Sequence, residues 1–89
     1  MDPHHLAVRI SDLQTLSPAE AVVLAYIRAL AGRALQNPFH WWLRFCDVDA
    51  DEALGLSKVG NVLRRLEKKG RLESRWLKGR KSREVRFTK

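Results

Sequence analysis

The stretch SKVGNVLRRLEKKG at positions 57–70 decides how the rest of the sequence is interpreted. When its residues are placed about 100° apart, as in an α-helix, apolar and polar side chains separate onto opposite sides. The apolar side holds Val59, Val62, Leu63 and Leu66. The opposite side holds Asn61, Arg64, Arg65 and Lys68. The pattern predicts a helix over residues 57–69 with a core face and a cationic face, and a merely solvated amphipathic helix would show the same pattern.

Both ends of this helix carry residues that usually begin or end helices. Ser57 can act as N-cap by accepting a hydrogen bond from an early backbone N–H. Gly70 can adopt the left-handed conformation that follows a last helical turn. Lys68 and Lys69 lie in that last turn, where the helix dipole favours positive charge.

The charge of the chain is concentrated around and after this helix. The 89 residues are enough for one domain with a single modest core. Before Lys58, four Lys and Arg residues stand against seven Asp and Glu, whereas from Lys58 onward thirteen stand against three, so the two parts carry −3 and +10. A positive field this uneven favours a polyanion with regularly spaced phosphates, and an acidic protein or an anionic membrane surface is the alternative partner.

Several classes of protein are disfavoured by the sequence. No apolar run approaches the roughly 18 to 20 residues of a membrane span, and MDPHHLAVRI lacks a basic leader followed by an apolar core. The single cysteine, Cys46, cannot form an internal disulfide, in agreement with a reducing compartment. We therefore expect a cytoplasmic protein.

A second helix is predicted to begin at Ser17. Ser17 is a good N-cap, Pro18 fits the first helical position, and Glu20 can complete a capping box. The helix should end near Gly32 or Leu35 and bury one face formed by Val23, Leu24, Ile27, Leu30, Ala31 and Ala34. A second apolar stripe consists of Val22, Tyr26 and Ala29. Either residues 1–16 or the tryptophans cover this stripe, or it forms a homodimer contact.

Residues 1–16 are interpreted as an N-terminal arm with a role in dimerisation. Leu6, Val8 and Ile10 alternate with other residues, which indicates a short strand or an ordered arm. The adjacent His4 and His5 have no acidic or cysteine partner at a metal-ligand spacing, so we expect no metal and no cofactor.

The aromatic segment FHWWLRFCDV follows a break at Asn37-Pro38. Its composition predicts a turn and then a short strand over residues 43–48, with a continuing helix as the alternative. The aromatic residues Phe39, Trp41, Trp42 and Phe45 could stack on single-stranded bases. Core packing or dimer contacts explain them better in a protein of this size. Cys46 is expected to be a small buried apolar residue.

The segments before and after the cationic helix complete a recurring arrangement. Asp49 and Glu52 have the spacing of a helix start, and Gly55 supplies a turn, so a short helix, a tight turn and the cationic helix follow one another. After Gly70 the apolar residues alternate, with Leu72 and Trp76 in one strand and Val85 and Phe87 in another. The polar segment 78–82 between these strands is typical of a hairpin tip.

DADEALGLSKVGNVLRRLEKKGRLESRW followed by KGRKSREVRFTK resembles the winged helix-turn-helix of bacterial and archaeal transcription regulators, especially the MarR-like and PadR-like groups. The resemblance covers residues 49–88. It implies an α+β fold over residues 17–89, with about three helices, a C-terminal β-hairpin wing at 76–86 and a short third strand. It also implies a recognition helix at 57–69. The implied DNA-binding residues are Ser57, Lys58, Asn61, Arg64, Arg65, Lys68, Lys78, Arg80, Lys81 and Arg83.

The sequence departs from these families in ways that affect the interpretation. They carry dimerisation helices beyond the wing, so a homodimer of this chain is expected to use the first helix, the N-terminal arm or the tryptophan region, with candidates Val22, Tyr26, Ala29, Trp41 and Trp42. Many MarR-like wings carry an Asp-x-Arg pattern that this sequence lacks, and no effector pocket is predicted. Gly60 costs about 1 kcal/mol relative to alanine inside a helix, which suggests close packing rather than close approach to phosphate.

The expected function is sequence-specific binding of double-stranded DNA by a small transcription regulator, nucleoid-associated when bound. Asn61 and Arg64 can make paired hydrogen bonds to base edges, while Lys58, Arg65, Lys68 and the wing cations neutralise phosphate. The alternatives are a protein-interaction module or a non-specific chromatin-like, replication-associated or RNA-binding module. The sequence has no catalytic triad, phosphate-binding glycine loop or paired-carboxylate pattern, so no enzymatic activity is expected.

Overall fold

The structure is a computed structural model that describes residues 8–77 and 82–88. In chain order the elements are α1 (Ile10–Thr15), α2 (Pro18–Arg33), β1 (Leu43–Cys46), α3 (Asp47–Leu54), α4 (Val59–Lys68), β2 (Leu72–Trp76) and β3 (Ser82–Phe87). The described residues thus form an α+β architecture of four helices and one three-stranded antiparallel sheet. The α+β class agrees with the sequence prediction, with one helix more than expected.

Helix α2 begins as its sequence predicts. The Ser17 hydroxyl accepts a hydrogen bond from the Glu20 backbone N–H at 3.3 Å, and the Glu20 carboxylate accepts one from the Ser17 N–H at 2.8 Å. This reciprocal capping box, with Pro18 in the first turn, is confirmed. The helix ends at Arg33, inside the predicted range.

Of the second apolar stripe of α2, Tyr26 is covered within the chain. Tyr26 is only 8 % exposed, and its ring meets Phe45 of β1 edge-on with centroids 5.8 Å apart. Val22 and Ala29 are half-buried. Tyr26 is therefore a core residue, which removes it from the surface predicted for dimerisation.

Helix α1 lies at the end of the predicted N-terminal arm, of which residues 1–7 are outside the described part of the chain. Ile10 begins this helix and is 75 % exposed, so at this residue the structure agrees with the ordered arm and not with the alternative of a short strand. Asp12 fixes the helix, because its carboxylate accepts hydrogen bonds from Arg28 at 3.2 Å and from Arg71 at 2.8 Å. These contacts join α1 to α2 and to the chain after α4, and the alternation pattern contains no information about them.

The strand predicted at 43–48 is confirmed but ends at Cys46, where α3 begins. Helix α3 thus starts at Asp47, two residues before the predicted cap Asp49. Gly55 ends α3 in the left-handed conformation (φ +67°), as expected for the turn.

Helix α4 has the predicted core face but not the predicted cap. Its residues Val59, Val62, Leu63 and Leu66 are all buried. The N-cap position falls at Lys58, and no side chain at that position caps the helix. Instead, the carboxylate of Asp51 on α3 accepts a hydrogen bond from the Val59 N–H at 2.7 Å. The prediction of Ser57 as N-cap was wrong because a neighbouring helix supplies the acceptor, whereas Gly70 has the expected positive φ of 69°.

The sheet has the strand order β1-β3-β2, with both pairs antiparallel. Opposite residues include Leu43 and Val85 in the first pair and Leu72 and Phe87 in the second. Because side chains alternate across a strand, these residues and Phe45 share the face that packs on the helices. The expected third strand is therefore β1, which makes β3 the central strand.

Two buried carboxylates hold the helices together. Burial alone would raise the pKa of Asp12, but hydrogen bonds and positive charge from Arg71 and Arg28 outweigh burial and lower it below the ordinary value. Burial also opposes ionisation of Glu20, yet its hydrogen bonds with Lys69 of the α4 end and with Ser17 lower its pKa. Both groups are therefore ionised in the folded protein at neutral pH.

We predict that acid destabilises the protein through these two groups. Since their folded-state pKa values are depressed, their stabilisation is complete above the unfolded values of about 4 and is lost as pH falls through the folded values. Asp12→Asn should lower the free energy of unfolding at pH 7 by about 1–3 kcal/mol and flatten its decline between about pH 5 and pH 3. Urea unfolding at a series of pH values measures both effects.

The exposed Asp49 supplies the matched control for this prediction. Asp49→Asn makes the same chemical change without breaking a described ion pair. An acid profile that is equally steep in Asp12→Asn and in the wild type would contradict the assignment of acid sensitivity to Asp12.

Candidate nucleic-acid interface

The polar face of α4 is open to solvent. Asn61, Arg64, Arg65 and Lys68 are exposed, and so are Ser57 and Lys58 just before the helix. The helix period places the first four on one side, opposite the buried apolar residues. The structure therefore brings all six residues predicted for the recognition helix to the surface.

Internal ion pairs remove much of the positive charge elsewhere in the C-terminal part. Lys69 pairs with Glu20 at 2.8 Å, Arg71 with Asp12 at 2.8 Å, and Arg75 with Glu84 at 2.9 Å. Arg86 pairs with Glu73 across the hairpin. These contacts neutralise charge at the end of α4 and on the sheet.

Most of the cations on α4 and at its start have no such partner. Within residues 8–77 and 82–88, Lys58, Arg64 and Lys68 form no ion pair, and Arg65 lies 3.9 Å from Glu20 with its side chain 53 % exposed. The unneutralised charge of segment 58–77 is thus concentrated on one helix face. This concentration could not be read from the net charge of the sequence.

A polar crevice of about 370 Å³ extends this face towards the hairpin. Its walls include Asn61 and Arg64 of α4, and Ser74 and Trp76 of β2. Trp76 is 61 % exposed. The helix and the hairpin therefore form one continuous surface.

Arg83 also lines this crevice, but it is buried, whereas the DNA contact implied for it requires an exposed side chain. It is 8 % exposed, and its guanidinium donates to both carboxylate oxygens of Asp47, at 3.0 and 2.6 Å. Trp76 covers the guanidinium, with its ring centroid 3.9 Å away. The pleat of β3 explains the correction, because Arg83 shares its inner face with Val85 and Phe87. Arg83 is therefore removed from the predicted DNA-binding residues.

The Asp47–Arg83 pair also explains Gly60. A Cβ atom added at Gly60 would lie 3.3 Å from a carboxylate oxygen of Asp47 and 3.4 Å from the Arg83 guanidinium. The absence of a side chain lets α4 pack closely on α3 and β3. Of the two explanations for this glycine, the packing one agrees with the structure.

A polar network continues from this pair to α4. Arg83 also lies 3.4 Å from the Ser74 hydroxyl, and that hydroxyl donates to Glu67 of α4. The network thus joins α3, β3, β2 and α4. The sequence analysis did not identify Asp47 or Glu67 as members of this network. The one signal in the sequence was that Arg83 alternates in step with Val85 and Phe87, which places it on the inner face of the strand.

The other predicted sites fall in two groups. Lys78, Arg80 and Lys81 of the wing lie outside the described residues, although a hydrogen bond from the Leu77 N–H to the Ser82 carbonyl at 3.2 Å pairs the residues that flank them. Trp41 is 59 % exposed, and Trp42 lies against the guanidinium groups of Arg75 and Arg86. These tryptophans remain candidates for contacts with partners.

Burial separates Phe45 from the other aromatic residues of the segment, so Phe45 is not available for base stacking. Phe45 is fully buried, and Phe39 packs on Phe87 with ring centroids 5.4 Å apart.

Among the described residues, no three His, Cys, Asp or Glu side chains are grouped so that they could hold a metal ion. Nor does residue range 8–77 or 82–88 contain a helix with the length and hydropathy to cross a membrane.

We predict that Arg83→Ala destabilises the protein by about 2–4 kcal/mol, because Asp47 would lose its partner in a largely buried place. Arg44→Ala should change stability by less than about 0.5 kcal/mol, since Arg44 is exposed on the outer face of β1. Chemical denaturation of the two variants measures the difference. Equal effects would show that the Asp47–Arg83 pair contributes little to stability.

The order of elements around this interface is compatible with a winged helix. No protein-family model matches the chain, and no curated protein or solved structure is significantly similar to it. Any functional assignment therefore rests on the residues and geometry described above.

Proposed function

We propose that this protein binds double-stranded DNA as a winged helix-turn-helix, with α4 in the major groove and the β2–β3 hairpin as the wing. The observation that carries the proposal is the exposed face of α4, where Lys58, Arg64 and Lys68 form no ion pair with the described residues. A helix of this width fits the major groove, and unneutralised cations on it can replace phosphate counterions. The turn from α3 through Gly55 into α4 supports the same assignment.

Within this interface we assign two kinds of contact. Asn61 and Arg64 line the crevice beside α4, and their amide and guanidinium groups can form paired hydrogen bonds with adenine and guanine edges. Lys58, Arg65 and Lys68 neutralise phosphates, as do Lys78, Arg80 and Lys81 of the wing. Ser57, exposed before the helix, donates to a phosphate. Phosphate contacts give affinity and base contacts give sequence preference, as a small transcription regulator requires.

The proposal includes a homodimer through α1 or the tryptophan region. Ile10 and Leu13 are exposed apolar residues on α1, at 75 % and 49 %, and Trp41 is 59 % exposed. Ile10 and Leu13 are three residues apart and therefore neighbours on one face of α1, and adjacent exposed apolar side chains favour a protein partner. A two-fold dimer would bind a roughly palindromic site with half-sites about one helical turn apart. Selection of bound duplexes from a random pool, with the mass of the complex, reports both specificity and stoichiometry.

We predict that Arg64→Ala lowers the discrimination between the selected duplex and a random one by about 1–3 kcal/mol, because one base contact is lost. Lys68→Ala is the matched control on the same helix face and should weaken both duplexes equally. Fluorescence anisotropy at one fixed salt concentration gives the six affinities of the wild type and the two variants for the two duplexes. If Arg64→Ala also weakened both duplexes equally, Arg64 would be a phosphate contact instead.

We predict that replacing Arg80 and Lys81 with glutamine weakens binding to all duplexes. Each lost phosphate contact should reduce the slope of log affinity against log salt by about 0.9. Arg44→Gln, on the outer face of β1, removes the same kind of charge away from the interface and should leave the slope unchanged. A slope unaffected by the wing substitutions would contradict contact between the wing and DNA.

A further inference from the structure

A second cavity, of about 400 Å³, lies apart from the crevice beside α4 and shares no lining residue with it. It forms where the chain before α1, the helix α2, the connection after α2 and the end of β3 meet. Three arginine residues line it, namely Arg9, Arg28 and Arg71. Its apolar walls include Leu24, Phe39 and Phe87.

The walls of this cavity are held by contacts within the chain. The Phe87 N–H donates to the carbonyl of Pro38 at 2.8 Å, and the Phe39 ring packs edge-on against Phe87. Leu24 and Phe87 are buried at 2 % and 5 % exposure. The apolar side of the cavity is therefore formed before any ligand arrives, which lowers the cost of binding one.

The charged side carries more positive than negative charge. Asp12 is shared by Arg28 and Arg71, at 3.2 and 2.8 Å, so one carboxylate stands against three guanidinium groups. One terminal nitrogen of Arg28, Nη2, is buried and has no hydrogen-bond partner among the described residues. Burial lowers the pKa of Arg28, and the charges of Arg9 and Arg71 lower it further, against the attraction of Asp12. The three cations thus repel one another, and an added anion would relieve this repulsion.

We propose that this cavity binds a small organic carboxylate with an apolar body. The carboxylate meets the guanidinium groups of Arg9, Arg28 and Arg71, whose planar N–H donors match its two oxygens. The apolar body packs against Leu24, Phe39 and Phe87. A volume of about 400 Å³ lies within the usual range of small-molecule sites. Inorganic phosphate would satisfy the charge alone and leave the apolar wall in contact with water.

The test uses the full chain without DNA, so its outcome is independent of the proposed DNA binding. ¹⁵N-labelled protein is titrated with 3-phenylpropionate, with its neutral analogue 3-phenylpropanamide, and with inorganic phosphate. We expect 3-phenylpropionate to shift the amide signals of Gly32 and Gln36 saturably and to leave that of Gly60, in the crevice, unchanged. The amide and phosphate should each bind at least fivefold more weakly.

Two variants test whether 3-phenylpropionate binds in this cavity or is attracted by the positive charge of the protein in general. Arg9→Gln removes a lining charge that forms no ion pair with the described residues, and it should weaken 3-phenylpropionate at least fivefold with an unchanged melting temperature. Arg33→Gln removes an exposed charge of α2 that does not line the cavity, and it should have no effect. The proposal is overturned if the neutral amide binds as well as the carboxylate, if the two variants behave alike, or if no saturable shift occurs.

Discussion

The paired charges of Asp47 and Arg83 constrain the whole arrangement of the helices on the sheet. Arg83 comes from the central strand, Asp47 begins α3, and Gly60 lets α4 pack beside both. A buried guanidinium without a carboxylate would be costly, so neither element can shift far without the other. The contacts continue through Ser74 to Glu67, which links the hairpin to the same side of α4 about two turns beyond Gly60. The position of the hairpin relative to the exposed face of α4 is thus determined by ionic contacts as well as by the apolar core.

The acidic residues of the N-terminal half acquire a shared role from this organisation. Asp12, Glu20 and Asp47 lie in the acidic part of the sequence, yet their partners Arg71, Lys69 and Arg83 come from the basic part. Folding therefore pairs acidic residues of the N-terminal part with basic residues of the C-terminal part. Three cations are neutralised in this way. The surplus that remains on α4 results from this selective pairing. A count of charges along the sequence gives the net charge, but it does not show where on the surface the unpaired positive charges lie.

The sequence predicted best those features that depend on residues close together in the chain. The capping box at Ser17, the apolar face of α4, the turn at Gly55 and the left-handed Gly70 follow from local conformational rules, and all are confirmed. The failures have a common cause in contacts between distant residues. Asp51 replaced Ser57 at the start of α4, Arg28 and Arg71 fixed α1 through Asp12, and Phe45 covered Tyr26. For the interface, periodicity identified the exposed residues of α4, whereas the burial of Arg83 depended on the sheet register.

The pairing of β1 with β3 has a consequence for the order in which the molecule can fold. Leu43 of β1 lies opposite Val85 of β3. The two strands are therefore neighbours in the sheet, although α3, α4 and β2 separate them in the chain. Such non-local pairing requires closure of a long loop, which slows folding relative to local contacts. The hairpin of β2 and β3 can form early, but β1 can join it only once the intervening helices have turned the chain back. If α3 and α4 move apart, β1 must be strained or must separate from β3. We therefore expect the turn between α3 and α4 to unfold in the same cooperative unit as the sheet.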